Sequence, residues 1–162
     1  MISISYLFEA KILDFPTSRQ DNPSSCGSTC VQTVLAYYGI DERQDDLSDR
    51  LKIAEDGISH NNIIKIFKKY KLSVDARTMT INDLKKYTRE NYNNGHYIVA
   101  IGYNSKQLIV EDPALNNQIG YISFDDLETR WHGVGEKEKL DYFGIAVKGK
   151  PKYDSDKIVK VK

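Results

Sequence analysis

The sequence predicts an α+β fold, with helices in its first half and an antiparallel sheet in its second. Three observations carry that expectation. Between residues 26 and 89 the apolar positions recur at helical spacing and are separated by turn residues. From residue 96 onward, runs such as His96-Tyr-Ile-Val-Ala-Ile-Gly-Tyr103 are rich in β-branched and aromatic residues, as buried strands are. Helices that come first and strands that follow, without regular alternation, are the α+β pattern rather than the βαβ one.

Taken in order, residues 1–19 read as extended, because Ile2, Ile4 and Tyr6 alternate with polar positions. A first helix over about 26–38 carries Val31, Val34, Leu35 and Tyr38 on one stripe and stops at Gly39. Ser24 and Ser25 are N-cap candidates for it. A second, shorter helix is expected over 41–52 around Leu47 and Leu51, followed by a turn at Asp56-Gly57. Ser59 is a cap for a third helix through about Lys71, with Ile63, Ile64, Phe67 and Tyr70 on its buried side. Val74 opens a short strand, and Thr80 with Asp83 forms a capping-box-like start to a fourth helix through about Arg89. Asn93-Asn94-Gly95 is a turn before the strand 96–103, and Asn104-Ser105 returns the chain into a partner strand over 107–112. Pro113 ends that strand, since proline cannot donate to a ladder. A third strand is expected over 118–123, a short helix over 124–131 and a further strand over 142–147. From Gly149 the chain is lysine-rich, with room for an edge strand through Ile158 and Val159.

The whole-chain properties narrow the function classes. At 162 residues the chain reads as one domain, 1–162, with 40% hydrophobic residues, ordinary for a globular protein. Its 23 basic and 23 acidic residues cancel, which argues against a nucleic-acid partner, whose binders carry a basic face. No stretch reaches the length of a membrane span, and the N-terminus lacks the pattern of a signal peptide. The two cysteines, Cys26 and Cys30, lie four apart on one expected helix, which suits reduced thiols and a cytoplasmic location rather than a disulfide framework.

The chemistry concentrates around Gln20-Asp-Asn-Pro-Ser-Ser-Cys26. A cysteine in the first turn of a helix sits at the positive end of the dipole, which favours the nucleophilic thiolate. The competing reading of Cys26 is a small buried hydrophobe. A nucleophilic cysteine needs a base, an orienting group and oxyanion donors. If strands 96–103 and 107–112 pair about Asn104, His96 lies opposite Asp112, close enough for the carboxylate to fix the imidazole tautomer. Taken singly, His96 also reads as a surface residue and Asp112 as a turn-former before proline. Gln20 offers a side-chain amide that can join the Cys26 backbone N–H in holding an oxyanion, its plainer reading being a solvated loop glutamine. Cys30 reads as core packing, His60 and His132 as surface residues, and Trp131 as packing under the sheet. A metal site built on Cys26 and Cys30 with one of His60, His96 or His132 is disfavoured, because Cys-x3-Cys on one helix is not a usual zinc pair.

With these residues assembled, the sequence resembles the papain-like cysteine peptidases, and among them the bacteriocin-processing family that cleaves leader peptides after a double glycine. The matching residues are Arg19-Gln20, Cys26-Gly27 with Cys30, Tyr38-Gly39, Gly57-Ile58-Ser59, His96-Tyr97, Asp112-Pro113-Ala114, and Phe124 with Trp131 and Gly133. They run from about 17 to 147, leaving a lysine-rich tail at 149–162. The resemblance implies a helical half packed on an antiparallel sheet. It implies Cys26 as nucleophile, His96 as general base, Asp112 as its orienting partner and Gln20 as oxyanion donor, with a peptide or protein substrate and no metal or organic cofactor. Ser25 departs from the family, which usually has an acidic residue before the nucleophile. The best-known members are the N-terminal domains of peptide exporters, whereas this sequence holds no membrane segment or nucleotide-binding motif. The implied activity is peptide-bond hydrolysis, with leader processing as one form of it. Acyl transfer or glutamine deamidation at the same thiol is an alternative, as is a catalytically silent peptide-binding module, which an intact triad argues against.

Overall fold

The structure is a computed structural model and describes residues 10–52, 58–86, 96–115, 119–131 and 141–156. Helix α1 (Cys26–Tyr37) is buried over ten of its twelve residues. Its hydroxyls turn back on the backbone, which lets polar residues enter the core. Ser28 Oγ and Thr29 Oγ1 donate to the Ser25 carbonyl at 3.0 and 2.8 Å, and Thr33 Oγ1 donates to the Thr29 carbonyl at 2.7 Å. Gly39, with φ at 74°, ends the helix: its N–H reaches the Ala36 carbonyl and that of Ile40 reaches Leu35. The expected serine cap is not realised. Ser25 occupies the N-cap position, but its hydroxyl donates to the Asn22 carbonyl and accepts the Asn22 N–H.

Helices α2 (Gln44–Leu51) and α3 (His60–Lys69) pack on α1. Leu47 and Leu51 are fully buried, as their spacing predicts. In α3, Ile66 rather than Ile64 or Tyr70 completes the buried side with Ile63 and Phe67. The Tyr70 hydroxyl instead joins Arg50 and Glu42, linking α2 to the end of α3. Strand β2 (Ser73–Thr78) follows, then α4 (Ile81–Lys86). The capping box forms reciprocally, Thr80 N–H on Asp83 at 3.0 Å and Asp83 N–H on Thr80 Oγ1 at 3.1 Å. Three short ranges of sequence expectation, the Asp56-Gly57 turn, the end of this helix and the 93–95 turn, lie outside the described residues. So do the first nine residues of the stretch 1–19 expected to be extended, whose described part forms a strand only at Lys11–Ile12, and the Ile158–Val159 edge strand.

The remaining elements are β1 (Lys11–Ile12), β3 (Val99–Tyr103), β4 (Gln107–Glu111), β5 (Ile119–Ser123), α5 (Phe124–Arg130) and β6 (Phe143–Lys148). One antiparallel sheet has the order β1-β3-β4-β5. The last strand does not extend the C-terminal sheet; β6 pairs with β2, from the helical half, in a two-stranded sheet. Strand residues alternate between two cores. Val99, Ile101, Ile109, Ile145 and Val147 join the helices of the first. Ala100, Leu108, Val110 and Ala146 join Leu127, Trp131 and Met79 in the second. Burial on both faces explains the near-continuous apolar runs that marked these strands in sequence. Trp131 is buried, with its indole N–H on the Phe143 carbonyl at 2.9 Å. Among the described residues no helix is long and apolar enough to cross a membrane.

The hairpin register departs from the symmetric arithmetic. Val99 pairs with Glu111, but a bulge between Ala100 and Gly102 shifts the next pair to Gly102 and Ile109. The turn is held by Asn104 Oδ1, which accepts the N–H groups of Lys106 and Gln107 at 2.8 and 2.9 Å. At the open end Asp112 therefore follows a pair at 99 and 111, and His96 lies three residues before the ladder rather than in it. Gly102 lets β1 approach: a Cβ there would stand 2.3 Å from the Lys11 carbonyl oxygen and 2.9 Å from Ile12 Cα. Both obstacles are backbone and cannot rotate away. Gly102→Ala is expected to destabilise the chain by about 1–3 kcal/mol, read as a lowered urea midpoint. An unchanged midpoint would mean that β1 contributes nothing to the sheet.

Candidate active site

The four residues singled out from the sequence come from three segments. Cys26 opens α1, His96 lies in the extended stretch before β3, Asp112 follows β4, and Gln20 lies in the loop before α1. His96 Nε2 is 2.7 Å from Asp112 Oδ1. The other face of the imidazole makes a hydrogen bond with the Cys26 thiol. Nε2 is thus committed to the carboxylate, which leaves Nδ1 for the sulfur. Asp112 Oδ1 also accepts the Ala114 N–H at 2.9 Å, an Asx turn that fixes the carboxylate itself.

The electrostatics favour charge separation across the pair. Burial, the largest single influence on Cys26, opposes its thiolate. The His96 hydrogen bond, the Tyr97 N–H, the charge on His96 and the Gly27 N–H together outweigh it and lower the thiol below its ordinary 9.0. His96 is raised to about 10, first by its bond to Asp112 and then by its bond to Cys26. For Asp112, burial again opposes the charged form, but His96 and the Ala114 N–H hold its carboxyl below the usual range. An imidazole more basic than the adjacent thiol favours a thiolate–imidazolium pair, with the negative charge on the Cys26 sulfur and the proton on His96.

Gln20 is tied to the same region. Its backbone N–H donates to the Pro113 carbonyl at 3.0 Å, placing it beside the residue after Asp112. Its Nε2 donates to the Asn22 carbonyl at 2.9 Å, which orients the amide and leaves its second N–H for another acceptor. Ser25 closes the same turn through its two bonds to Asn22, so a neutral side chain secures the loop ahead of Cys26.

Two residues near the site carry more than their sequence signals suggested. Tyr97 reads as a strand aromatic, yet its N–H reaches the Cys26 sulfur and its hydroxyl donates to the Ile58 carbonyl at 2.7 Å. Its ring packs against Gly27, where an added Cβ would stand 3.0 Å from Tyr97 Cδ2 and from Ile58 Cδ1. The signal available in sequence is the tyrosine directly after His96 together with the glycine directly after Cys26. Glu111, which the sequence did not single out within its strand, is 1% exposed. Cys30 lies in the core as expected; burial first, and then the charges of Glu111, Cys26 and Asp112, push its thiol well up. His60 is half-buried and packs edge-on to Phe143, rather than standing on the surface, and His132 lies outside the described residues. Among the described residues no cluster of three or more His, Cys, Asp or Glu could hold a metal ion.

Comparison with known proteins places this geometry. Residues 14–135 match the model of the Peptidase C39 family. The chain is 26% identical over 147 residues to the SPbeta prophage-derived sublancin-168-processing and transport ATP-binding protein SunT of Bacillus subtilis (strain 168); the match covers 75% of this chain and 20% of that protein, so the chain spans about a fifth of its length. A double glycine motif protease from an AMS/PCAT transporter, solved in complex with the leader peptide, superposes with a TM-score of 0.70 at 19% identity, covering 84% of this chain and 92% of that one. The peptidase domain of Streptococcus ComA, described as a bi-functional ABC transporter, gives a TM-score of 0.63 at 18% identity over 80% of this chain and 95% of that domain. At these identities the structural likeness establishes the fold, a papain-like peptidase fold of helices and antiparallel sheet.

Proposed function

The chain belongs to the Peptidase C39 family and is a cysteine peptidase, and from that premise we propose that it hydrolyses peptide bonds with Cys26 as nucleophile, His96 as acid and base, Asp112 as orienter and Gln20 as oxyanion donor. The observation that carries the reading is His96, bonded at once to the Cys26 thiol and, at 2.7 Å, to Asp112. The Cys26 thiolate attacks the scissile carbonyl carbon, and the C=O π pair moves to oxygen. The second N–H of Gln20 Nε2 and the Cys26 backbone N–H hold that oxyanion. As it collapses, the C–N bond breaks and His96 gives its Nδ1 proton to the leaving amine. The remaining thioester is attacked by water, His96 now taking the water proton, and the acid product leaves with the thiolate restored. Asp112 keeps Nε2–H occupied throughout, so that Nδ1 stays turned to the sulfur.

Leader peptides ending in a double glycine are the substrate class we propose. The support comes from the relatives: one is named for processing sublancin-168, and another was solved with a leader peptide. A peptide library that includes Gly-Gly junctions, with product masses read out, tests both parts. Two fragments whose masses sum to substrate plus one water support hydrolysis. An unbroken chain whose side-chain amide has been converted to acid would assign deamidation instead, and coupling to an added amine would assign acyl transfer. Gln20→Ala is expected to lower kcat by about 10²–10³-fold with little change in KM. Unchanged kcat would remove Gln20 from the mechanism.

A further inference from the structure

Glu111 is a buried carboxyl that the hydrolytic mechanism does not use. It closes β4 one residue before Asp112, and by strand alternation it shares the face of Ile109, which is turned to the helices. Its side chain is 1% exposed. Oε1 accepts the backbone N–H of Ser18 at 3.1 Å, across 93 residues of sequence. Two residues further along that loop, the Gln20 N–H donates to the Pro113 carbonyl at 3.0 Å. The segment 111–113 therefore holds the segment 18–20 at two points, and Asp112, the partner of His96, lies between them. One short stretch of chain sets the positions of both the histidine orienter and the Gln20 loop.

Packing alone gives no reason for an acid here. Glu111 lies beside Asp112 and acts on the buried Cys30 of α1, while across the ladder its partners are the apolar Val99 and Ile119. Burial first and Asp112 second push its carboxyl up to about 7, against the opposing Ser18 N–H. Among the described residues Oε2 has no hydrogen-bond partner. A buried acid near like charge is costly to keep, and an apolar residue of similar volume would be cheaper in free energy. What the carboxyl supplies and an apolar residue does not is the acceptor for Ser18.

We infer that Glu111 is a positioning residue for the oxyanion donor: through the Ser18 N–H it fixes the loop that presents Gln20 to the Cys26–His96 pair. The inference rests on the reading of Gln20 given above. Glu111→Leu keeps the volume and removes the acceptor; Glu111→Gln keeps Oε1 and restores it. Glu111→Leu is expected to fold with an unchanged or raised melting temperature, to lose about tenfold in kcat with KM unchanged, and to leave the rate of iodoacetamide alkylation of Cys26 unchanged. Glu111→Gln is expected to stay within about twofold of wild type in kcat. The double variant with Gln20→Ala should be no slower than Gln20→Ala alone, because both changes disable one device. Should Glu111→Leu fail to fold, Ser18→Pro deletes the same bond from its donor side and enters the same cycle with the same expected loss. Wild-type kcat in the acceptor-less variants, equal impairment in Glu111→Gln, or effects that multiply with Gln20→Ala would each overturn the inference alone. A Gln20→Ala enzyme with full activity would overturn the oxyanion reading and this inference with it.

Discussion

Cys26→Ala is expected to reduce peptide cleavage to background, a loss on the order of 10⁶-fold in kcat, with the fold intact. The size follows from the chemistry. Without sulfur no acyl-enzyme forms, and the oxyanion donors are left to stabilise only a direct attack by water, which is far slower. The fold should tolerate the change, because the thiol is small and its bonds run to the site rather than into the core. Cys30→Ala is the matched control. Cys30 sits among the core residues, and its loss is expected to cost some stability while leaving turnover near wild type. Cleavage undiminished in Cys26→Ala would reject the assignment outright.

The second largest effect is expected at Asp112. Asp112→Asn keeps the size of the side chain but removes the charge that fixes the imidazole, and kcat should fall by roughly 10⁴-fold. The pH dependence should change with it. In the wild type, activity is expected to rise as the Cys26 thiol loses its proton, at a pH below the ordinary 9.0, and to fall as His96 loses its own near 10. Both limbs belong to the coupled pair rather than to either residue singly. Since the bond to Asp112 is the first cause of the raised histidine value, the asparagine variant should show its alkaline limb displaced toward the ordinary 6.5. The linkage to stability has a definite sign. A histidine whose value rises on folding stabilises fully below 6.5 and loses that contribution as pH rises toward about 10. Asp112, lowered on folding, stabilises above 3.8 and loses its contribution as pH falls below that value. The variant should therefore melt lower than wild type around neutrality, with the difference shrinking at both extremes. A residual activity with an unmoved alkaline limb would mean that Asp112 does not set the histidine.

Much of this was legible in the chain because it is local. The stripe Val31, Val34, Leu35 and Tyr38 and the glycine at 39 mark α1, and with it the placement of Cys26 in the first turn. The capping box at Thr80 and Asp83 is written in four consecutive residues and forms as written. The two central strands were legible as apolar runs, because their two faces meet two cores. The pairing of His96 with Asp112 was reached by symmetric counting about the turn. The contact is present, but the hairpin turns between residues 105 and 106, where Tyr103 pairs with Leu108, and the ladder ends at Val99, so the side chains make the contact beyond the hairpin. Nothing local marks the bulge, nor the close approach of β1 to Gly102 from some ninety residues earlier in the chain. The pairing of β2 with β6 was hidden for the same reason: each strand fits several partners, and the choice is made by packing. Ser25 was misread from the sequence, and Glu111 carried no assignment there at all. A serine before a helix reads as a cap, but here the Asn22 turn takes its hydroxyl. The partner of Glu111, the Ser18 N–H, lies 93 residues away, so nothing local announces the contact.

The central claim is that Cys26, and not Cys30, is an activated nucleophile on which cleavage depends. Titration with iodoacetamide, with the modified site mapped by peptide mass and residual cleavage measured at each point, tests it most directly. One equivalent should be taken up at Cys26, at pH values below the range of an ordinary thiol, with cleavage lost in proportion and Cys30 unmodified in the folded chain. Full alkylation of Cys26 with cleavage intact, or equal modification of the two thiols, would contradict it.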